Sequence, residues 1–145
     1  MAKPGSSVLV IEDDLAIRGL LVDVLVDDGY EVRAASDGEE ALAILESWQP
    51  HLIILDQLMP RMDGTAFRAE QRSRPHLAAI PTLLLSAIRD LPAQARDMDI
   101  AATMPKPFNL DDLLVLSRQL IDAAEEGTTT HADTEYPAGS GPAKF

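Results

Sequence analysis

Five short strand-like runs alternate with segments of helical spacing, and this alternation restricts the chain more than any other feature. Val8-Leu9-Val10-Ile11, Leu52-Ile53-Ile54-Leu55 and Pro81-Thr82-Leu83-Leu84-Leu85 are almost unbroken apolar runs; Tyr30 to Ala35 and Ile100 to Met104 read as two more strands. Unbroken apolar strands predict burial on both faces, which a parallel sheet covered by helices provides. Between them, Ile17, Leu20, Leu21, Val24 and Leu25 recur at helical spacing, and Gly29 closes that helix. Asp37-Gly38-Glu39-Glu40 carries the capping chemistry of a second helix, with Ala41, Leu42 and Leu45 as its buried face. A third helix opens near Asp63-Gly64 and runs through Ala66, Phe67 and Ala69 to about Arg72. Asn109 caps a last one, with Leu113, Leu114, Leu116, Leu120 and Ile121 on or near its buried side. Ile88 to Met98 holds Pro92 and few apolar positions, so a short or mobile helix is expected there.

Each crossover is long enough for a right-handed strand–helix–strand unit. The expected fold class is therefore α/β, a doubly wound five-stranded parallel sheet with helices on both faces. In the flavodoxin-like strand order 2-1-3-4-5, the first and third strands are neighbours and a crevice opens at their carboxyl ends. Along the chain we expect a flexible N-terminus over residues 1–6, one domain over 7–126, and a disordered tail over 127–145 rich in Thr, Ala, Gly, Pro and Ser. Zero cysteines exclude a disulfide scaffold and a thiolate metal site, and they fit a reducing, cytoplasmic setting. No apolar run approaches the roughly 18 residues of a membrane span, and the first five residues lack the apolar core of a signal peptide. A formal charge of -12 opposes direct binding to nucleic acid and leaves room for a cation.

Polar residues stand where the strands end. Glu12, Asp13 and Asp14 follow the first run, Asp56 the third, Ser86 the fourth and Lys106 the fifth. In the strand order above, Glu12, Asp13 and Asp56 converge, and three close carboxylates repel one another unless a cation relieves them. A hard divalent cation such as Mg²⁺ takes one or two carboxylates and keeps waters for a phosphate. Lys106 brings a fixed positive charge to the same rim, and Ser86 brings a hydroxyl donor. A carboxylate nucleophile, a metal site, an ammonium and a hydroxyl suit formation of an aspartyl phosphate, where catalysis is mostly positioning and charge neutralisation. Each residue also has a plainer explanation: an acid after a strand often caps a helix, which is the preferred assignment for Asp14, and a lone Ser or Lys is commonly a turn or solvated residue. The plainer explanations do not account for five such groups in order at the ends of four strands.

On these residues the chain resembles a response-regulator receiver domain of the stand-alone type, the phosphoacceptor half of two-component signalling. The likeness covers about Ser7 to Glu126. It rests on Glu12-Asp13, on Asp56 with Met59-Pro60 and Asp63-Gly64, on Ser86-Ala87, and on Lys106-Pro107-Phe108. The resemblance implies that Asp56 accepts a phosphoryl group from a histidine kinase or histidine phosphotransfer protein in a Mg²⁺-dependent reaction. It implies that Glu12, Asp13, Asp56 and the backbone carbonyl of Leu58 hold the Mg²⁺, that Ser86 and Lys106 contact the phosphoryl group, and that the Lys106-Pro107 bond is cis. Such a domain signals by contact with a downstream protein target. It is not an enzyme beyond assisting its own phosphoryl transfer and slow dephosphorylation. Kinase docking is expected around Ile17 and Leu20 or Leu21 on the first helix, with the Pro107-Phe108 loop, in a monomer or weak dimer that inserts into no membrane.

The sequence departs from the family pattern at several points. Receivers usually carry an aromatic residue three positions before the lysine, and here that position is Thr103. The aromatic switch is thereby altered, and the response is expected mainly over Ala87 to Met98. Leu58 and Ile88 are apolar and cannot orient an attacking water, which predicts slow self-dephosphorylation. The rival function is a pseudo-receiver, a protein-binding module that is never phosphorylated. Thr103 favours it; Glu12, Asp13, Asp56, Ser86 and Lys106 oppose it. A flavin protein would need a phosphate-cradling turn where the first acids stand, and an aspartyl phosphatase would need an acid at Leu58.

Overall fold

In the computed structural model, which describes residues 2–57, 62–86 and 100–126, the expected strands form a single parallel sheet. They are β1 (Ser7–Ile11), β2 (Glu31–Ala35), β3 (Leu52–Asp56), β4 (Thr82–Ser86) and β5 (Ala102–Pro105), in the order β2-β1-β3-β4-β5. Five helices are present among the described residues: α1 (Leu15–Asp27), α2 (Gly38–Leu45), α3 (Gly64–Arg72), α4 (Pro75–Ala78) and α5 (Leu110–Glu125). The predicted fold class and strand order hold. The segment 88–98 and the tail 127–145, each with an expectation attached, lie outside the described residues.

Alternation along the strands explains why both faces are covered. Val8, Val10, Leu52, Ile54, Leu83, Leu85, Ala102 and Met104 form one core with Leu21 and Leu25 of α1 and Leu113, Leu116, Leu120 and Ile121 of α5. Leu9, Ile11, Ile53, Leu55 and Leu84 form the other with Ala41 and Leu45 of α2, Phe67 of α3 and Leu77 of α4. The edge strand β2 differs, exposing Glu31 and Arg33. The Arg33 guanidinium lies 4.6 Å from the centroid of the Trp48 ring. Charge on an edge strand discourages pairing with another chain.

The element boundaries follow from local chemistry. Gly29, at φ 105°, ends α1 in a conformation that side chains resist. Tyr30 is buried but precedes β2, because its N–H donates to Leu25 of the preceding helix, 3.1 Å away, and not to a strand. Pro81 has no N–H, so β4 starts at Thr82. The four-residue helix α4 was not anticipated: Pro75 starts it, and four residues are too few for a helical period to show. Gln71 holds that region, with its buried Nε2 donating to the carbonyls of Leu77 (3.0 Å) and Ile80 (3.2 Å) while Oε1 accepts from Thr82 Oγ1 (3.2 Å). The fold thus brings the carboxyl ends of β1, β3, β4 and β5 to a single rim.

Candidate functional site

Backbone hydrogen bonds carry the ladder one residue beyond three of the strands and so hold the chain where its chemistry begins. Glu12 N–H donates to Ala35 at 3.0 Å, Gln57 N–H to Leu85 at 3.0 Å, and Lys106 N–H to Ser86 at 2.9 Å. Asp14 belongs to the cap of α1, as expected, accepting the Ile17 N–H at 3.0 Å. Asp63 caps α3 in the same way, and Gly64 N–H returns to the Gln57 carbonyl at 2.9 Å. Gly64 answers a close approach: a Cβ there would stand 2.6 Å from Gln57 Oε1 and 3.0 Å from the Asp56 carbonyl oxygen. A side chain at position 64 would therefore crowd the backbone of the strand exit.

Lys106 Nζ donates to Asp56 Oδ1 at 2.9 Å and to Glu12 Oε1 at 3.2 Å. Carboxylate oxygens of Glu12, Asp13 and Asp56 all lie within 4.8 Å of one another. Glu12 and Asp56 are buried, whereas Asp13 is exposed, so the cluster opens to solvent on one side. One ammonium does not balance three carboxylates. Loss of water, then the hydrogen bond and charge of Asp56, push the Glu12 carboxyl up to about 8, against the opposing pull of Lys106. Burial would lower the Lys106 ammonium, but its bonds and charge interactions with Asp56 and Glu12 outweigh that and raise it. Hard oxygen donors carrying excess negative charge, with one member facing water, fit a divalent cation such as Mg²⁺.

The remaining predicted positions are placed as follows. Ser86 is buried at the end of β4, next to the backbone of Lys106. Thr103 is buried on β5, opposite Leu84. The Lys106-Pro107 bond is cis; Pro107 is exposed, but Phe108 lies in the core beneath α5. On α1, Ile17 and Leu20 are half-buried, and Leu21 is wholly buried and unavailable to a partner. Leu58 and Ile88 lie outside the described residues. Two neighbours of the site escaped the sequence reading. Leu15, in the first turn of α1, is 74% exposed. Arg18 donates through Nη1 to the carbonyls of Glu12 at 2.9 Å and Asp13 at 3.5 Å. The signal that could have found Arg18 is its spacing, one helical turn past the Asp14 cap.

An acid cluster bridged by a lysine stands at the carboxyl rim of a doubly wound parallel sheet, where open α/β sheets place their binding sites. The family model for the response regulator receiver domain matches residues 8–118, and the chain belongs to that family. It is 41% identical over 108 residues to the transcriptional regulatory protein PdtaR of Mycobacterium tuberculosis, covering 74% of this chain and 52% of the relative. It superposes on the chemotaxis response regulator CheY4 of Vibrio cholerae with TM-score 0.74 and 31% identity, over 79% of this chain and 98% of that one. The signal receiver domain of a signal transduction histidine kinase from Syntrophus aciditrophicus gives TM-score 0.77 and 28% identity, over 82% and 92% of the two chains. The chain spans about half the length of the curated relatives it matches. No helix among the described residues is long and apolar enough to cross a membrane.

Proposed function

We propose that residues 7–126 form the phosphoacceptor domain of a two-component or phosphorelay system, with Asp56 as the phosphorylated residue, acting in the cytoplasm through protein contact. The observation that carries this reading is the Lys106 ammonium bridging two buried carboxylates, Asp56 at 2.9 Å and Glu12 at 3.2 Å, beside an exposed third acid. In the transfer, an Asp56 carboxylate oxygen forms a bond to phosphorus as the bond from phosphorus to a donor imidazole nitrogen breaks, and the imidazole leaves with that electron pair. Lys106 offsets charge on the phosphoryl oxygens, and the Ser86 hydroxyl donates to one of them. Glu12, Asp13 and Asp56, with the Leu58 backbone carbonyl that the resemblance implies, would hold Mg²⁺, which would supply further charge neutralisation there.

The donor is a histidine kinase or histidine phosphotransfer protein docking around Ile17 and Leu20 of α1, both half-buried, and the exposed Pro107 of the loop after β5. The relatives named as transcriptional regulators extend well beyond the matched span, so the downstream target is assigned here only as a protein. The Lys106–Asp56 ion pair favours a working phosphoacceptor over a pseudo-receiver, since a pure binding module has no need of it. Intact mass after incubation with acetyl phosphate and Mg²⁺ tests the reading. Wild type should gain one phosphoryl group, and it should gain none with EDTA or in Asp56→Ala. Equal uptake by Asp56→Ala would defeat the assignment.

A further inference from the structure

We propose that Arg18 is a positioning residue for the acid pair: its guanidinium clasps the carbonyls of Glu12 and Asp13 and thereby sets the affinity of the site for a divalent cation. This rests on the reading of the rim as a Mg²⁺-dependent phosphoacceptor site. The two acids are not held alike. Glu12 is buried to 1% exposure, with Oε1 on Lys106 at 3.2 Å and Oε2 accepting the Asp14 N–H at 3.4 Å. Asp13 is the exposed member, so burial does not fix where its carboxylate points.

The direction of the Asp13 side chain is set by the peptide planes on either side of it, and Arg18 grips both. Nη1 lies 2.9 Å from the Glu12 carbonyl and 3.5 Å from that of Asp13. Holding consecutive carbonyls turns the backbone of Glu12-Asp13 as a unit. A planar guanidinium loses less freedom in doing so than a flexible ammonium would. Arg18 itself stands on a firm base. Its N–H donates to Asp14 at 2.9 Å, and α1 is anchored in the core by Leu21 and Leu25. The loop that offers two of the three acids is thus tied to a helix from outside the cluster. Partners behind metal ligands commonly change affinity by about 10- to 100-fold when removed.

Calorimetric titration of Mg²⁺ into the full chain tests this with wild type, Arg18→Met and Arg18→Lys, each checked for folding by a thermal melt without metal. We expect Arg18→Met to weaken Mg²⁺ binding about tenfold. Arg18→Lys should recover less than half of that loss on a logarithmic scale, because a flexible, strongly hydrated ammonium loses more freedom in holding the two carbonyls that the guanidinium reaches through Nη1. The Mg²⁺ concentration for half-maximal phosphorylation by acetyl phosphate should rise in step with the dissociation constant, and by more than the maximal rate falls. Unchanged Mg²⁺ affinity in Arg18→Met overturns the proposal, as does a loss of maximal rate alone or full rescue by lysine. If Arg18→Met does not fold, Arg18→Lys carries the test, and wild-type affinity in it overturns the clasp. Wild type that binds no Mg²⁺ defeats the phosphoacceptor reading itself, an outcome distinct from a failure of Arg18.

Discussion

Lys3 and Lys106 each sit between two carboxylates, the first before β1 at the amino-terminal end of the sheet, the second at its carboxyl rim. Lys3 reaches Asp122 and Glu125 at 3.2 Å each, and Lys106 reaches Glu12 at 3.2 Å and Asp56 at 2.9 Å. The distances nearly match, but the exposure does not. The Lys3 side chain is 59% exposed and its partners 37% and 40%, against 23% for Lys106 and 1% and 5% for its partners. Around Lys3, water hydrates every charge, and salt screens the attraction. Around Lys106 the carboxylates have lost that water, a third acid stands close by, and the Glu12 carboxyl rises to about 8. Equal contact distances therefore give a tether at one end and a charge imbalance that a cation can relieve at the other.

Removing each cation probes that contrast, and Lys106→Met should show the largest effect. It leaves the buried Asp56 carboxylate without its counter-charge, and urea unfolding in metal-free buffer at neutral pH should show a loss of about 3 kcal/mol, partly recovered by adding Mg²⁺. An unfolding midpoint equal to wild type would mean that water serves the rim as it serves Lys3. A smaller effect should appear with pH. Glu12 binds its proton more tightly folded than unfolded, so the stability it contributes is fully present below 4.5 and is lost as pH rises toward about 8. Urea midpoints measured with EDTA should fall across that window in wild type and stay flatter in Glu12→Gln; parallel curves would remove burial as the distinction between the two ends. Smallest of all is Lys3→Met, for which we expect no measurable change in the urea midpoint. A loss comparable to that of Lys106→Met would abolish the comparison.

Much of the fold could be read from short-range patterns. Gly29 as a helix stop, Asp37, Asp63 and Asn109 as caps, and the apolar runs of β1, β3 and β4 all depend on neighbours a few residues away. The site was legible to the extent that a strand order could be assumed, since that order alone carries Glu12, Asp13 and Asp56 to a shared crevice. Helix α1 shows where this ended. Leu20 and Leu21 are adjacent and chemically alike, yet Leu21 is sealed in the core and Leu20 is half-buried. Leu15 lies exposed and Arg18 turns toward the acid loop for the same reason: the rotation of a helix about its axis is fixed by what it is packed on. Phe108 looked like part of a docking loop and lies beneath α5, because nothing local distinguishes an apolar side chain that faces inward from one that faces out.

The amino-acid sequence by itself determined the parallel doubly wound architecture, the helix starts and the placing of acids, hydroxyl and lysine at strand exits. Periodicity and capping act within a few residues, and one chain can state them in order. Only the tertiary structure decided that Lys106 is shared between Asp56 and Glu12, 50 and 94 positions away, that Glu12 loses its water, and that Arg18 holds the loop between. Desolvation and Coulomb coupling depend on what surrounds a charge in space, and that is settled only when distant segments close around it.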